Sequence, residues 1–241
     1  MHYVRTGETL YSVSFQYGRS VDELASWNGL HKPYTIYKGQ RLRLTPPPVR
    51  ASKPKPARAK PAPKPVPRIV VTPSRPKPHY PSSGKPKRVT PAPAKTASTR
   101  AAPKVTTTES YSAALNSKHI RWSWPVQGRL ISGYNAASSG RKGINIAGKT
   151  GAPVHTAAAG KVVYSGSGLS GYGRLIIIKH NKEFLSAYAH NRKLIAKEGQ
   201  WVKQGEVIAL MGSSGTDRTQ LHFEIRKQGR PVNPLRYLPK R

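Results

Sequence analysis

The chain has 241 residues, room for one large domain or two small ones. It carries 42 Lys+Arg against 9 Asp+Glu, a formal net charge of +33. Such a charge demands polyanionic surroundings: nucleic acid, anionic lipid, or the carboxylates and phosphates of a cell envelope. There is no cysteine, which excludes a disulfide framework and a thiolate zinc site. No run approaches the ~18 consecutive apolar residues of a membrane span. No signal peptide is visible after Met1, so export would need a targeting segment outside this sequence.

Residues 1–45 read as a small module of order strand, helix, helix, strand. His2-Tyr3-Val4 suits a short strand. From Thr9 to Tyr17, Leu10, Val13 and Tyr17 fall near helical spacing, with Thr6 and Thr9 as candidate caps. Gly18 stops that helix. Ser20, with Glu23 three residues on, forms a capping box for a second helix. Val21, Leu24 and Trp27 line its apolar face, and Asn28-Gly29 ends it. A last strand runs from Gln40 to Leu44, where Leu42 and Leu44 alternate with arginines.

Residues 46–117 differ sharply. Seventeen prolines fall between Pro46 and Pro103, and fifteen Lys/Arg between Arg50 and Lys104. Proline removes donors and fixes φ, like charges repel, and there is little to bury. The stretch is expected to be an extended, disordered tether that holds to anionic envelope groups in a salt-sensitive way.

Residues 118–241 show short β-branched runs broken by glycine turns. They are Arg129–Ile131, Lys161–Tyr164, Arg174–Lys179, Phe184–Tyr188, Val207–Met211 and Leu221–Ile225. This predicts an all-β domain with no helix of three turns. Ile176-Ile177-Ile178 reads as a strand buried on both faces.

Two resemblances follow from these residues. The runs Tyr3-Val4-Arg5-Thr6-Gly7-Glu8-Thr9-Leu10, Val21 to Leu30 and Ile36 to Leu42 resemble a LysM domain. LysM domains bind polymers containing N-acetylglucosamine, here peptidoglycan, in a groove between two loops. The resemblance assigns glycan contacts to Gly7, Glu8, Thr9, Leu10, Asn28, Gly29, Leu30, Pro33, Tyr34 and Ile36. Glycine-permitted turns and apolar side chains suit that use, although Leu10 and Trp27 also read as core. Tyr37 is a further candidate.

The second concerns Arg141-Lys142-Gly143-Ile144-Asn145, Gly171-Tyr172-Gly173, Ala187-Tyr188-Ala189-His190 and Gln220-Leu221-His222-Phe223-Glu224. These runs resemble the lysostaphin- or LytM-type zinc endopeptidases, whose fold is a duplicated hybrid-motif-like β domain. The closing run Val232 to Pro239 is similar to NlpD-type division proteins. Position by position, the family's first zinc ligand is Arg141 here and its second is Asn145; only the third, His222, is a histidine. Of two assisting histidines, His190 is retained and the other is Gln220. Guanidinium stays protonated and has no acceptor, and a carboxamide is a weak neutral donor. The expectation is therefore a domain without cofactor or catalysis.

NlpD- and EnvC-type proteins activate N-acetylmuramyl-L-alanine amidases during division with such a domain. That resemblance implies a periplasmic, outer-membrane-associated location. It assigns an amidase-binding cleft to Arg141, Lys142, Asn145, Tyr172, Tyr188, His190, Gln220 and His222, with Tyr188 equally readable as core. An active endopeptidase with an unusual metal site and a purely structural wall-binder stay open. His155, His180 and Glu224 are the residues that could rebuild a metal site, although both histidines read as structural. Ser213-Ser214-Gly215 lacks a base and orienter for serine catalysis. Nucleic-acid binding rests on charge alone, with no motif.

Overall fold

The computed structural model describes residues 1–48, 119–137 and 142–241. The segment read as a disordered tether lies, past Pro48, outside the described residues, and so does Arg141. In the N-terminal module, β1 (His2–Tyr3) pairs antiparallel with β2 (Arg41–Leu42), and α1 (Leu10–Tyr17) and α2 (Val21–Trp27) lie between them in sequence. Both helices start as their sequences demand. Thr9 caps α1 by accepting from the Ser12 N–H, and Ser20 and Glu23 exchange the two bonds of a capping box on α2. Gly18 ends α1 in the left-handed conformation, φ 63°. Val4, Leu10, Val13, Leu24 and Leu42 form the core.

Two expectations change here. The last strand stops at Leu42 instead of Leu44, because the Arg43 N–H donates to Asn28 Oδ1 at 2.7 Å and leaves the ladder. Tyr17 is 39% exposed, whereas Phe15, at a position the spacing did not favour, is 1% exposed.

The C-terminal module is a branched antiparallel sheet. Its strands are β3 (Leu130–Ser132), β4 (Ile144–Ala147), β5 (Pro153–His155), β6 (Gly160–Gly166), β7 (Arg174–Lys179), β8 (Phe184–Leu194), β9 (Trp201–Val202), β10 (Val207–Met211), β11 (Gln220–Lys227) and β12 (Arg230–Val232). The main order is β3-β4-β11-β8-β7-β6-β9. The long strand β8 is the branch point: it pairs with β7, β11 and β10. The six predicted runs fall on strands, the first shifted by one residue to Leu130–Ser132; β4, β5, β9 and β12 are additions too short to show periodicity. A single 3₁₀ turn, Pro234–Arg236, is the helical content among the described residues of this module.

Alternation along the central strands sorts side chains onto two faces. Ile176 and Ile178, with Phe223, Ile225 and Ile144, form the main core. Leu175 and Ile177, with Leu185, Ala187 and Ala189, form a second cluster, and Phe15 of α1 is packed into it. The two modules thus lie within one unit. The isoleucine strand is buried on both faces because the N-terminal helix covers the second one. Burying a Phe side chain contributes about 1.5–3 kcal/mol.

Tyr188, assigned by resemblance to the cleft, is instead fully buried in the main core against Phe223. Its β8 position faces the main core, and its hydroxyl accepts from the Ala157 N–H at 2.8 Å. The same hydroxyl lies 2.9 Å from Ser186 Oγ, which lies 2.7 Å from His180 Nε2. His180 Nδ1 is 2.8 Å from the Ala159 carbonyl, which can only accept. Nδ1 therefore carries a ring proton, and the Ser186 hydroxyl donates to Tyr188 Oη.

Burial pushes the His180 pKa down to about 4, against its bond to Ala159. A histidine depressed on folding contributes stability that is complete above its unfolded pKa near ~6.5 and lost as pH falls toward the folded value. Chemical denaturation across that window should show the wild-type protein losing about 3 kcal/mol from this group. His180→Gln should flatten that part of the pH slope.

Candidate functional site

The alternation of β11 that buries Leu221, Phe223 and Ile225 turns Gln220, His222, Glu224 and Arg226 to the opposite face. These four polar side chains are nonetheless buried, each 7% exposed or less. Their register beside β4 brings His222 opposite Asn145. Asn145 Oδ1 lies 2.6 Å from His222 Nδ1. On the other side, His222 Nε2 lies 3.0 Å from Glu224 Oε1. Both ring nitrogens are therefore engaged.

Glu224 is the hub of this row. It accepts from Tyr172 Oη at 2.9 Å and from Arg226 Nε at 2.8 Å. Burial pushes its carboxyl up; the Arg226 guanidinium and then His222 outweigh this and hold it below its ordinary value. Burial also raises the Tyr172 phenol, with Glu224 adding to the effect. Beyond Tyr172 the row reaches the N-terminal module. The Arg226 guanidinium stacks 3.3 Å from the Phe15 ring centroid and donates to the Phe15 carbonyl. Tyr172 meets the same ring edge to face at 5.4 Å.

His190 reaches the site by breaking alternation. Regular β8 geometry would send it to the same side as Tyr188. At φ 65° it takes a left-handed conformation, and its ring stands 5.9 Å from His222. Its Nδ1 bonds the Ser214 carbonyl at 2.8 Å. Burial lowers its pKa, opposed by that bond. The Ser214 hydroxyl donates to the Asn191 carbonyl at 2.7 Å, so nothing activates it. His155 bonds the Gly205 carbonyl and His180 the buried chain above, both away from the cleft.

Together these residues wall a cavity of about 350 Å³. It brings together Lys142, Asn145, Tyr172, His190, Gln220 and His222; Tyr188 is excluded. Glu224, Thr216 and Gly171 also line it. Glu224, weighed from the sequence as a residue that could rebuild a metal site, belongs to the polar positions spaced by two along Gln220–Arg226, and Gln220 Nε2 donates to Thr216 Oγ1 at 3.1 Å. Among the described residues, no group of three or more His, Asp or Glu is arranged to hold a metal ion.

The N-terminal module borders a second, larger cavity of about 630 Å³. Glu8, Thr9, Leu10, Pro33, Tyr34 and Ile36 lie along it. Gly7, Asn28, Gly29, Leu30 and Tyr37 do not. Asn28 is a latch that ends α2, donating to the Leu24 carbonyl at 2.7 Å and the Arg43 carbonyl at 3.0 Å. Leu30 packs on the module core, and the Leu10 side chain, 1% exposed, belongs to that core rather than to a ligand. Glu8 is held by His2 Nε2 at 2.8 Å and by the Arg5 N–H at 2.7 Å.

Comparison with known proteins adds family context. Residues 2–45 match the LysM domain and residues 139–234 match peptidase family M23. The lipoprotein NlpD/LppB homolog of Pseudomonas aeruginosa is 46% identical over 99% of this chain and 76% of that protein. The uncharacterized lipoprotein YgeR of Escherichia coli is 38% identical over 98% of this chain and 80% of that protein. The murein hydrolase activator NlpD of Escherichia coli is 56% identical over 50% of this chain, but this match spans only 32% of the activator. A zinc-containing peptidase from Vibrio cholerae is 32% identical over 47% of this chain and 39% of its own, with a TM-score of 0.44. The chain belongs to the NlpD/LppB family, in which a LysM domain is joined to a domain of peptidase family M23.

Proposed function

We propose that this chain binds peptidoglycan through its LysM module and activates N-acetylmuramyl-L-alanine amidases through the cleft of its C-terminal domain, without hydrolysing the wall itself. The observation that carries this reading is the direct contact between Asn145 and His222 at 2.6 Å. In the peptidase family those positions hold zinc from two sides. Tetrahedral ligands at ~2.0–2.1 Å from zinc stand roughly 3.4 Å apart. Here they satisfy each other, and the opposite nitrogen of His222 is committed to Glu224. The first ligand position carries the permanent cation Arg141. Zinc in this family polarises the scissile carbonyl and acidifies its water; these donors do not fit it, and no hydrolytic step is assigned.

What is left is a cleft lined with hydrogen-bonding groups and bordered by Lys142. Such a surface activates an amidase only if it binds the open state better than the closed one. The relatives named murein hydrolase activators support that use. Relatives named as lipoproteins, one of them an outer membrane antigenic lipoprotein, support a place at the outer membrane. No helix among the described residues is long and apolar enough to cross a membrane.

Dye release from labelled sacculi tests the activator reading. The chain alone should release nothing, and the chain plus a cognate amidase should release several-fold more than amidase alone. Unchanged release in the mixture would overturn the proposal. Metal chemistry is tested by competition with a zinc indicator. The wild-type chain should take up no zinc at micromolar metal, whereas the double variant Arg141→His, Asn145→Asp should bind it. Tight zinc in the wild type, with chelator-sensitive peptide cleavage, would restore the peptidase reading.

A further inference from the structure

The larger cavity is not a property of the N-terminal module alone. One wall is LysM chain: Thr9, Tyr11 and the loop Lys32–Ile36. The other is the C-terminal domain, through Lys161, Val163 and Lys179 of β6 and β7. The walls are tied together at the floor. Thr9 Oγ1 donates to the Val163 carbonyl at 3.2 Å, and Lys179 Nζ donates to Tyr11 Oη at 3.1 Å.

The two walls differ in chemistry. On the LysM side, Tyr11 and Tyr34 meet edge to face at 6.5 Å, a ledge suited to the apolar faces of sugar rings. Tyr34 holds φ 65°, an unusual state for a bulky residue and one often met where side chains are aimed at ligands. The opposite wall offers ammonium groups. Lys179 stands 5.3 Å from the Tyr11 ring centroid, and Lys161 stands 5.9 Å from the Trp201 ring. No carboxylate lies within salt-bridge reach of either lysine among the described residues. Glu198 also borders the cavity, and Glu8 there is already engaged by His2 and Arg5.

We infer that the LysM groove and the β6–β7 face form one composite site for a glycan strand that carries carboxylates. The tyrosine ledge takes sugar rings, and Lys161 and Lys179 take the acidic substituents that distinguish peptidoglycan from a neutral N-acetylglucosamine polymer. The inference rests on the reading that the LysM module binds glycan. It adds that the peptidase-like domain selects which glycan. The strand then lies along both domains, and docking of α1 onto the sheet is what builds the site.

The test uses the full chain, with chitotetraose as the neutral probe and a purified carboxylate-bearing muropeptide tetrasaccharide as the acidic one, by calorimetry at low salt. Lys161→Glu and, separately, Lys179→Gln should weaken the acidic probe about fivefold or more while leaving chitotetraose within about twofold, which also reports a folded LysM module. Raising salt should erase most of the difference between the probes. Unchanged affinity for the acidic probe in both variants would overturn the composite site, and so would equal weakening of both probes. Tyr34→Ala should weaken both. If it weakens neither, the underlying LysM reading fails instead.

Discussion

A carboxylate fully buried beneath the cleft organises this molecule. Glu224 has no exposure, and a charge in that position persists only when it is paired and hydrogen-bonded. Three partners meet that requirement: the Arg226 guanidinium, the Tyr172 hydroxyl and His222 Nε2. Each partner carries the constraint further. His222 passes it to Asn145, which fixes the cleft floor. Arg226 passes it to Phe15, which fixes the N-terminal helix. One buried charge therefore joins the cleft and the docking surface of the LysM module in a continuous polar row.

This row also sets the shape of the cleft. Asn145, His222, Glu224 and Arg226 hold one another in a preorganised hydrogen-bond network. The proposed activator role needs a stable shape that presents polar groups and a basic rim, and such a network supplies it. The network also ends on Phe15 of α1, the helix whose Tyr11 borders the larger cavity.

Much of the fold was legible because local rules agreed with it. Thr9, Ser20 and Glu23 cap the two helices as their sequence positions require, and the six longest β-branched runs lie in strands. The misreadings have specific causes. Tyr17 was given to the core by helical spacing, yet the burial of Phe15 depends on a surface more than a hundred residues away. Tyr188 sat in a family motif beside the retained His190, but strand alternation turns it inward, and only the left-handed backbone at His190 brings that ring back to the cleft. A motif marks a neighbourhood; the pleat and the caps decide which of its side chains face a ligand.

By itself, the sequence determined the two modules and their families, the excess of positive charge, and the residue types at the positions the zinc-peptidase resemblance aligns. These are properties of local pattern and of side-chain chemistry, and no distant contact can alter what a guanidinium or a carboxamide is able to donate. Tertiary structure alone decided that Asn145 and His222 bond to each other, that Glu224 lies beneath them, and that α1 lies against the second face of the sheet. It also decided that the LysM groove has a lysine-bearing second wall. Those outcomes depend on register between strands and on docking between segments far apart in the chain, where the hydrophobic driving force is non-directional and only packing selects one arrangement.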